Sequence, residues 1–364
     1  MSTLNDVVIT KLSGGLGRRN PEQDMVSGLL FDGVATEKFV LDKVERLASL
    51  EDAEALGIVE SYDTNTQSVY YQIQQFFRMN PSGDLLIMGT TGNSYENIVK
   101  QALNMQEKAN GEIRQMAIIC SQNTTFEQTQ AAVRKAQTQA ELAYSNFMPF
   151  EIILEGKEFD LNAAITLDDL NAENVSVVVA MDPKKAIKYP NSAAVGVALG
   201  ALSKAKVSEN IAWIEKFNLT GEGFEKAGFI GGDVNNTIGT LVDLNLKRYI
   251  FAKTHTGLPG VYFNDSHTCT TGTSDFAYIE NNRTINKATR LLRTALLPKL
   301  ASPVLVDIDG KLPQSVSKSF EDLCRNALEG MVANQEVSAF DVYVDPKQNI
   351  LSTSELKVKA EITP

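Results

Sequence analysis

The chain has 364 residues, 43% of them hydrophobic and 22% charged, with 24 glycines and 11 prolines. That balance excludes disorder, collagen and coiled coil as descriptions of the whole chain. The 34 basic residues stand against 45 acidic ones, and a net charge of −11 argues against a broad grip on a phosphate backbone. At roughly 100–200 residues per domain, the length predicts two domains. Three scattered cysteines, Cys120, Cys269 and Cys324, predict thiols in a reducing compartment rather than a disulfide framework. Met1 to Asp6 lack the basic-then-apolar pattern of a leader, and the most apolar long window, Ser192 to Ala205, is too short for a membrane span. The expectation is a soluble chain made in the cytoplasm.

Val7, Val8, Ile9, Thr10, Lys11 and Leu12 form a β-branched run with strand character, followed by a flexible connector from Ser13 to Pro21. After a strand expected near Phe39–Leu47, Ser49 caps a helix start with Asp52 three residues on. A helix is predicted over Thr66–Met79, ended by Asn80-Pro81-Ser82-Gly83, and then a buried strand over Asp84–Gly89. The alternation continues with helix Tyr95–Ala109, strand Gln115–Cys120, helix Thr125–Asn146 and strand Phe150–Leu154. A short helix near Leu167–Leu170 leads to strand Val175–Met181 and helix Ala193–Lys204. This order predicts an α/β fold with a mostly parallel sheet and flanking helices.

Past about residue 260 the pattern changes to α+β. A Thr-rich loop, His267 to Ser274, leads into an amphipathic helix over Asn281–Leu297 that Pro298 should end. A short strand at Val304–Ile308, a turn at Asp309-Gly310 and a helix over Pro313–Val332 follow. Two alternating strands, Val337–Val344 and Ser354–Ile362, close the chain. Their last stretch, Leu356, Lys357, Val358, Lys359, Ala360, Glu361 and Ile362, alternates apolar and charged residues strictly, unlike a frayed terminus.

No catalytic signature emerges, so no cofactor and no metal are expected. Gly15-Leu16-Gly17 has two glycines of a dinucleotide fingerprint, but Asn20 replaces the third. In Gly221-Glu222-Gly223, Lys226 stands where the third glycine belongs. His255 and His267 are the only histidines, and His267-Thr268-Cys269 is too tight for usual zinc spacing. No Gly-x-Ser-x-Gly elbow occurs. Gly196 and Gly200 read as a close-packed buried helix face.

One charge feature rises above background. From Asn281 to Leu300 there are five basic residues and no acidic one. Residues 266–364 hold 11 basic and 12 acidic residues, which leaves an excess of ten acidic residues to the first 265. At helical spacing Arg283, Lys287 and Arg290 form one stripe with Arg293 adjoining, opposite Ile285, Leu291, Leu292, Ala295 and Leu296. A solvated helix face normally mixes signs, so the stripe predicts a docking surface for an acidic partner.

The phrases Ser49-Leu50-Glu51-Asp52-Ala53-Glu54-Ala55-Leu56-Gly57-Ile58, Phe76 through Met88, Asn282 through Arg293 and Asp309-Gly310-Lys311-Leu312 resemble tail-sheath proteins of contractile phage tails and related injection systems. The resemblance runs through nearly the whole chain, which looks compact for that family. It implies four parts: an N-terminal strand arm and linker over residues 1–24, an α/β outer domain over 25–265, a C-terminal α+β sheath-core domain over 266–350 and a C-terminal strand arm over 351–364. It implies that the arms, Val7–Leu12 and Leu356–Ile362, add to sheets of neighbouring subunits and weave a helical lattice. It gives Arg283, Lys287, Arg290 and Arg293 an acidic inner tail tube as target, a contact expected to be salt-sensitive. The implied partners are further copies of the chain, the tube protein, and baseplate and terminator proteins. The implied setting is the producing bacterium's cytoplasm during assembly, then a virion tail or tail-like particle. The competing expectation is a small-molecule enzyme with a pocket at the carboxyl ends of the strands.

Overall fold

The computed structural model describes residues 23–122, 124–230, 232–233, 238–299, 303–349, 352 and 355–364. The expected N-terminal strand, Val7–Leu12, lies outside the described residues.

The centre of the molecule is a strand that the chain's patterning hides. β1 (Val26–Asp32) is buried along its whole length, although Gly28 interrupts its apolar run. That glycine has a packing reason: a Cβ there would lie 3.1 Å from Ile113 and 3.2 Å from Met116. Around β1 the sheet assembles from β2 (Glu45–Leu47), β3 (Asp84–Thr90), β4 (Gln115–Ile119), β5 (Glu151–Glu155) and β6 (Val175–Val178), in the order β2-β3-β1-β4-β5-β6. Leu29 stands opposite Ile87 on one side and Ala117 on the other, both pairings parallel. Only the short edge strand β2 runs antiparallel.

Helices cover both faces, as the α/β alternation requires. They are α1 (Leu50–Ala55), α2 (Val69–Met79), α3 (Tyr95–Val99), α4 (Ala102–Lys108), α5 (Phe126–Ser145) and α6 (Val195–Lys204). α1 begins where expected, with the Asp52 carboxylate accepting from the Ala48 and Ser49 N–H groups at 2.8 and 3.1 Å. The predicted helix over 95–109 is instead two pieces, α3 and α4. Gly196 and Gly200 let α6 lie directly on α2, since a Cβ at Gly196 would sit 2.2 Å from the Gln72 carbonyl oxygen. The outer body continues through β7 (Gly228–Phe229), β8 (Gly232–Asp233), α7 (Ile238–Leu246), β9 (Ala252–His255) and β10 (Leu258–Phe263).

The last quarter of the chain carries its own small core. α8 (Ile279–Leu296) and α9 (Gln314–Ala333) pack with an antiparallel hairpin of β11 (Ala339–Tyr343) and β12 (Lys359–Thr363). Ala288, Cys324, Leu328, Met331 and Val342 form this core, with Leu291, Leu292, Val358, Ala360 and Ile362 against it. The strand expected at Val304–Ile308 is irregular backbone, and Leu305 and Ile308 stand exposed.

Candidate functional site

Helix α8 is the element on which the two bodies meet. Its apolar side faces the C-terminal core, and its polar side lies against the outer body. This departs from the expectation of an exposed basic docking stripe: Arg283 is 3% exposed and Lys287 9%. A charge buried so deeply requires partners, and each one here has them.

Arg283 sits at the carboxyl end of α6. Its guanidinium donates to the carbonyls of Ala205 and Lys206, both at 3.2 Å. Those carbonyls lie just past Lys204, the last residue of α6, near the negative end of the helix dipole. Burial lowers the Arg283 pKa to about 10, so the group stays charged at neutral pH. One turn on, Lys287 bridges Asp24 and Glu336, each at 2.6 Å. Burial opposes its charge, but the two carboxylates outweigh that and raise its pKa. Arg290 reaches the other oxygen of Asp24, also at 2.6 Å. Asp24, just before β1, is therefore shared by two α8 cations.

Asn286 points at the sheet and donates to Glu151 Oε1 at 2.9 Å, beside a second donor, Asn174, at 3.1 Å. Burial pushes the Glu151 carboxyl up to about 8, and its Oε2 has no partner among the described residues. Asn282 adds a bond to the Glu173 carbonyl at 2.9 Å. Across the seam, Lys206 Nζ donates to the Asn334 carbonyl at 3.2 Å and Ser208 Oγ to the Gln335 carbonyl at 3.3 Å. The seam is thus mostly hydrogen bonds and ion pairs, which fix orientation through geometry rather than through buried apolar area.

Arg293 differs from the other three. It stacks on the Phe147 ring with its guanidinium carbon 3.5 Å from the ring centre and forms no ion pair among the described residues. Beside it opens a cleft of about 530 Å³ between the two bodies, where Arg114, Lys287, Arg290 and Arg293 outnumber Asp24 and Glu336. Burial, with the Arg290 charge nearby, lowers the Arg114 pKa to about 9.

The C-terminal stretch also departs from expectation. Leu356–Ile362 was expected to leave its own subunit, yet β12 pairs with β11 of the same chain, Phe340 opposite Ile362 and Val342 opposite Ala360. The physical reason is the alternation itself: Val358, Ala360 and Ile362 cover the α8–α9 core beside Phe340 and Val342 of β11. The hairpin is a two-stranded sheet, so each strand keeps one edge without a ladder partner among the described residues.

Chemistry at the sheet's carboxyl ends is occupied internally. Asp32 accepts from the Ser121 N–H and the Gln122 amide, both at 2.7 Å, and from the Ser121 hydroxyl. Glu155 accepts from the Cys120 and Ala193 N–H groups at 3.0 and 3.1 Å. In the Thr-rich loop, burial and the Arg248 charge lower the His267 pKa to about 4, and its Nε2 lies 3.1 Å from Asn245 Oδ1. Among the described residues no group of three His, Cys, Asp or Glu is placed to hold a metal. None of the described helices is long and apolar enough to cross a membrane.

The sequence matches the model for "DUF2586, N-terminal domain" over residues 4–267 and that for "DUF2586, C-terminal domain" over 275–364. No curated protein matches it. Among solved structures, the helical sheath of the anti-feeding prophage in its contracted state aligns over 100% of this chain and 96% of its own, with a TM-score of 0.68 at 14% identity. The contracted sheath complex of an extracellular contractile injection system, PVC, aligns over 100% and 94%, with a TM-score of 0.60 at 12% identity. A sheath tail protein from Desulfitobacterium hafniense aligns over 98% and 99%, with a TM-score of 0.59 at 10% identity. The described residues therefore have the sheath-protein fold.

Proposed function

The chain belongs to the DUF2586 family, and we propose that it is the structural subunit of a contractile sheath. The observation that carries this reading is the whole-chain likeness to sheath proteins, which includes the small C-terminal body as well as the common α/β sheet. In this reading the subunit polymerises helically around an inner tube and contracts to drive that tube through a target envelope. It performs no catalysis; energy is stored in a packing with two stable arrangements. Its partners are other copies, a tube protein, and baseplate and terminator proteins, met in the producing cell and then in the finished particle.

The β11–β12 hairpin is the proposed joint. Its open edges suit a strand from a neighbour, and Val7–Leu12 has the composition to supply one. The five paired positions of β12 offer the same register to a neighbour's β11, an exchange of identical elements that replaces each bond by its equal. Each main-chain bond contributes about 1 kcal/mol net, so an arm gains its hold by making several. Arg283, Lys287 and Arg290 serve the seam within the chain, so they are not proposed as the tube contact.

Negative-stain microscopy of the purified chain tests the reading. Helical tubes or stacked rings are expected, and deletion of residues 1–12 or 354–364 should abolish them. A dispersed monomer at high concentration, unchanged by either deletion, would sink it.

A further inference from the structure

The end of α5 holds a residue that its surroundings do not explain. The helix closes with two bonds, from the Met148 N–H to the Ala143 carbonyl at 2.8 Å and from the Phe147 N–H to the Tyr144 carbonyl at 2.9 Å. This is the closing geometry in which the residue just past the cap is left-handed and is usually glycine. Here that residue is Phe147, at φ +61°, the one aromatic among the described non-glycine residues with positive φ. A bulky side chain in this region is strained. Strain at a helix end is commonly tolerated where burial compensates, yet Phe147 is 59% exposed. Its ring separates the 530 Å³ cleft from a smaller pocket of about 260 Å³ that also touches Tyr144. Arg293 covers one face of the ring and forms no ion pair with a carboxylate among the described residues. An exposed aromatic ring and a half-buried arginine beside a concave surface have the composition of an interface anchor.

We propose that the Phe147–Arg293 cleft docks a carboxylate-bearing segment of a second copy of this chain. The occupant follows from charge. The cleft has four cationic side chains against two carboxylates, while the first 265 residues of every copy carry an excess of ten acidic residues. The inference rests on the sheath reading for the existence of copy-to-copy contacts and adds where one of them is made.

The test compares the full chain with Phe147→Gly, Phe147→Asn and Arg293→Glu, by sedimentation velocity at low and high salt and by thermal unfolding of dilute monomer. Glycine and asparagine both accept the left-handed backbone, so the two Phe147 variants should unfold no lower than wild type. Their self-association should weaken on the order of tenfold, Arg293→Glu should weaken it further, and salt should weaken the wild type. Variants that associate like wild type overturn this inference alone. So does a fall in melting temperature for both Phe147 variants with association intact, which would make the ring an internal strut. A wild-type chain that stays monomeric at every concentration overturns the sheath reading and this inference together.

Discussion

β1, β4, β5 and β6 are buried at every position, whereas β11 and β12 half-bury one face and expose the other. The outer body gathers dozens of buried side chains into a single core. The C-terminal body instead splits its apolar residues between a cluster around Leu328 and a second one around Phe320. Two-stranded hairpins are marginal by themselves, and small cores bury a smaller fraction of their surface. The contrast teaches a division of labour: one body is complete alone, and the other gains from added strands. Hydrogen exchange should display the largest effect. Amides of β1 and β4 should exchange only through global unfolding, and those of β11 and β12 about 100-fold faster or more in the monomer. Assembly should close that gap. Equal protection in the monomer would break the comparison.

A second break targets the complete body. Gly196→Val places side-chain atoms where the Gln72 carbonyl lies 2.2 Å from the Cβ position, so α6 must lift from α2. Overpacking of this kind costs about 3 kcal/mol, to be read from the urea midpoint at constant slope. A loss below about 1 kcal/mol would mean that the two helices can separate cheaply.

The sheet and its helices were largely legible because strands buried on both faces read as apolar runs and amphipathic helices repeat at 3.6 residues. β1 was missed because Gly28 breaks its run and because the preceding residues read as connector. The strand expected at 304–308 failed for the opposite reason, since a β-branched run has no meaning without a partner ladder. The basic stripe does lie on one face of α8, but it was read as an exposed docking face. No acidic residue lies on that stretch of helix, yet Asp24 and Glu336 arrive from segments more than 250 residues before it and some 50 after it, as the Arg290–Asp24 and Lys287–Glu336 separations show. Charge pairing there is tertiary, and one helix's sequence cannot display it. Phe147 gave no signal, because a left-handed position is a property of the folded backbone.

Asp24 offers a sharper test of the seam. Asp24→Asn leaves Lys287 with Glu336 alone and Arg290 without an ion pair among the described residues. Breaking a buried ion pair by removing one partner costs about 3 kcal/mol. The loss should appear as looser coupling of the bodies: α8 amides on the seam exchange faster while β4 amides do not. Global destabilisation with α8 and β4 affected alike would show that the seam is part of one cooperative core.

Glu151 gives the smallest effect and the most specific one, because α8 meets its carboxyl through Asn286. Its carboxyl is raised from 4.5 to about 8 by burial, with Asn174, Asn286 and the Arg283 charge in part opposing that rise. The folded chain therefore holds a proton between those two pH values that the unfolded chain has released. Stability contributed by the neutral acid is complete below about 4.5 and lost as pH rises to about 8, with a limiting slope of about 1.4 kcal/mol per pH unit. Glu151→Gln removes the ionisation and keeps the acceptor for Asn174 and Asn286, so its stability should fall less steeply than wild type between pH 5 and 8, at a slope shallower by about 1 kcal/mol per unit or less. Parallel curves would place the Glu151 carboxylate in contact with water and the seam open around it. A shallower curve whose difference vanishes in a chain that also carries Asp24→Asn would tie the proton to closure of the seam, since opening it hydrates Glu151 and frees the carboxyl to ionise at its ordinary value.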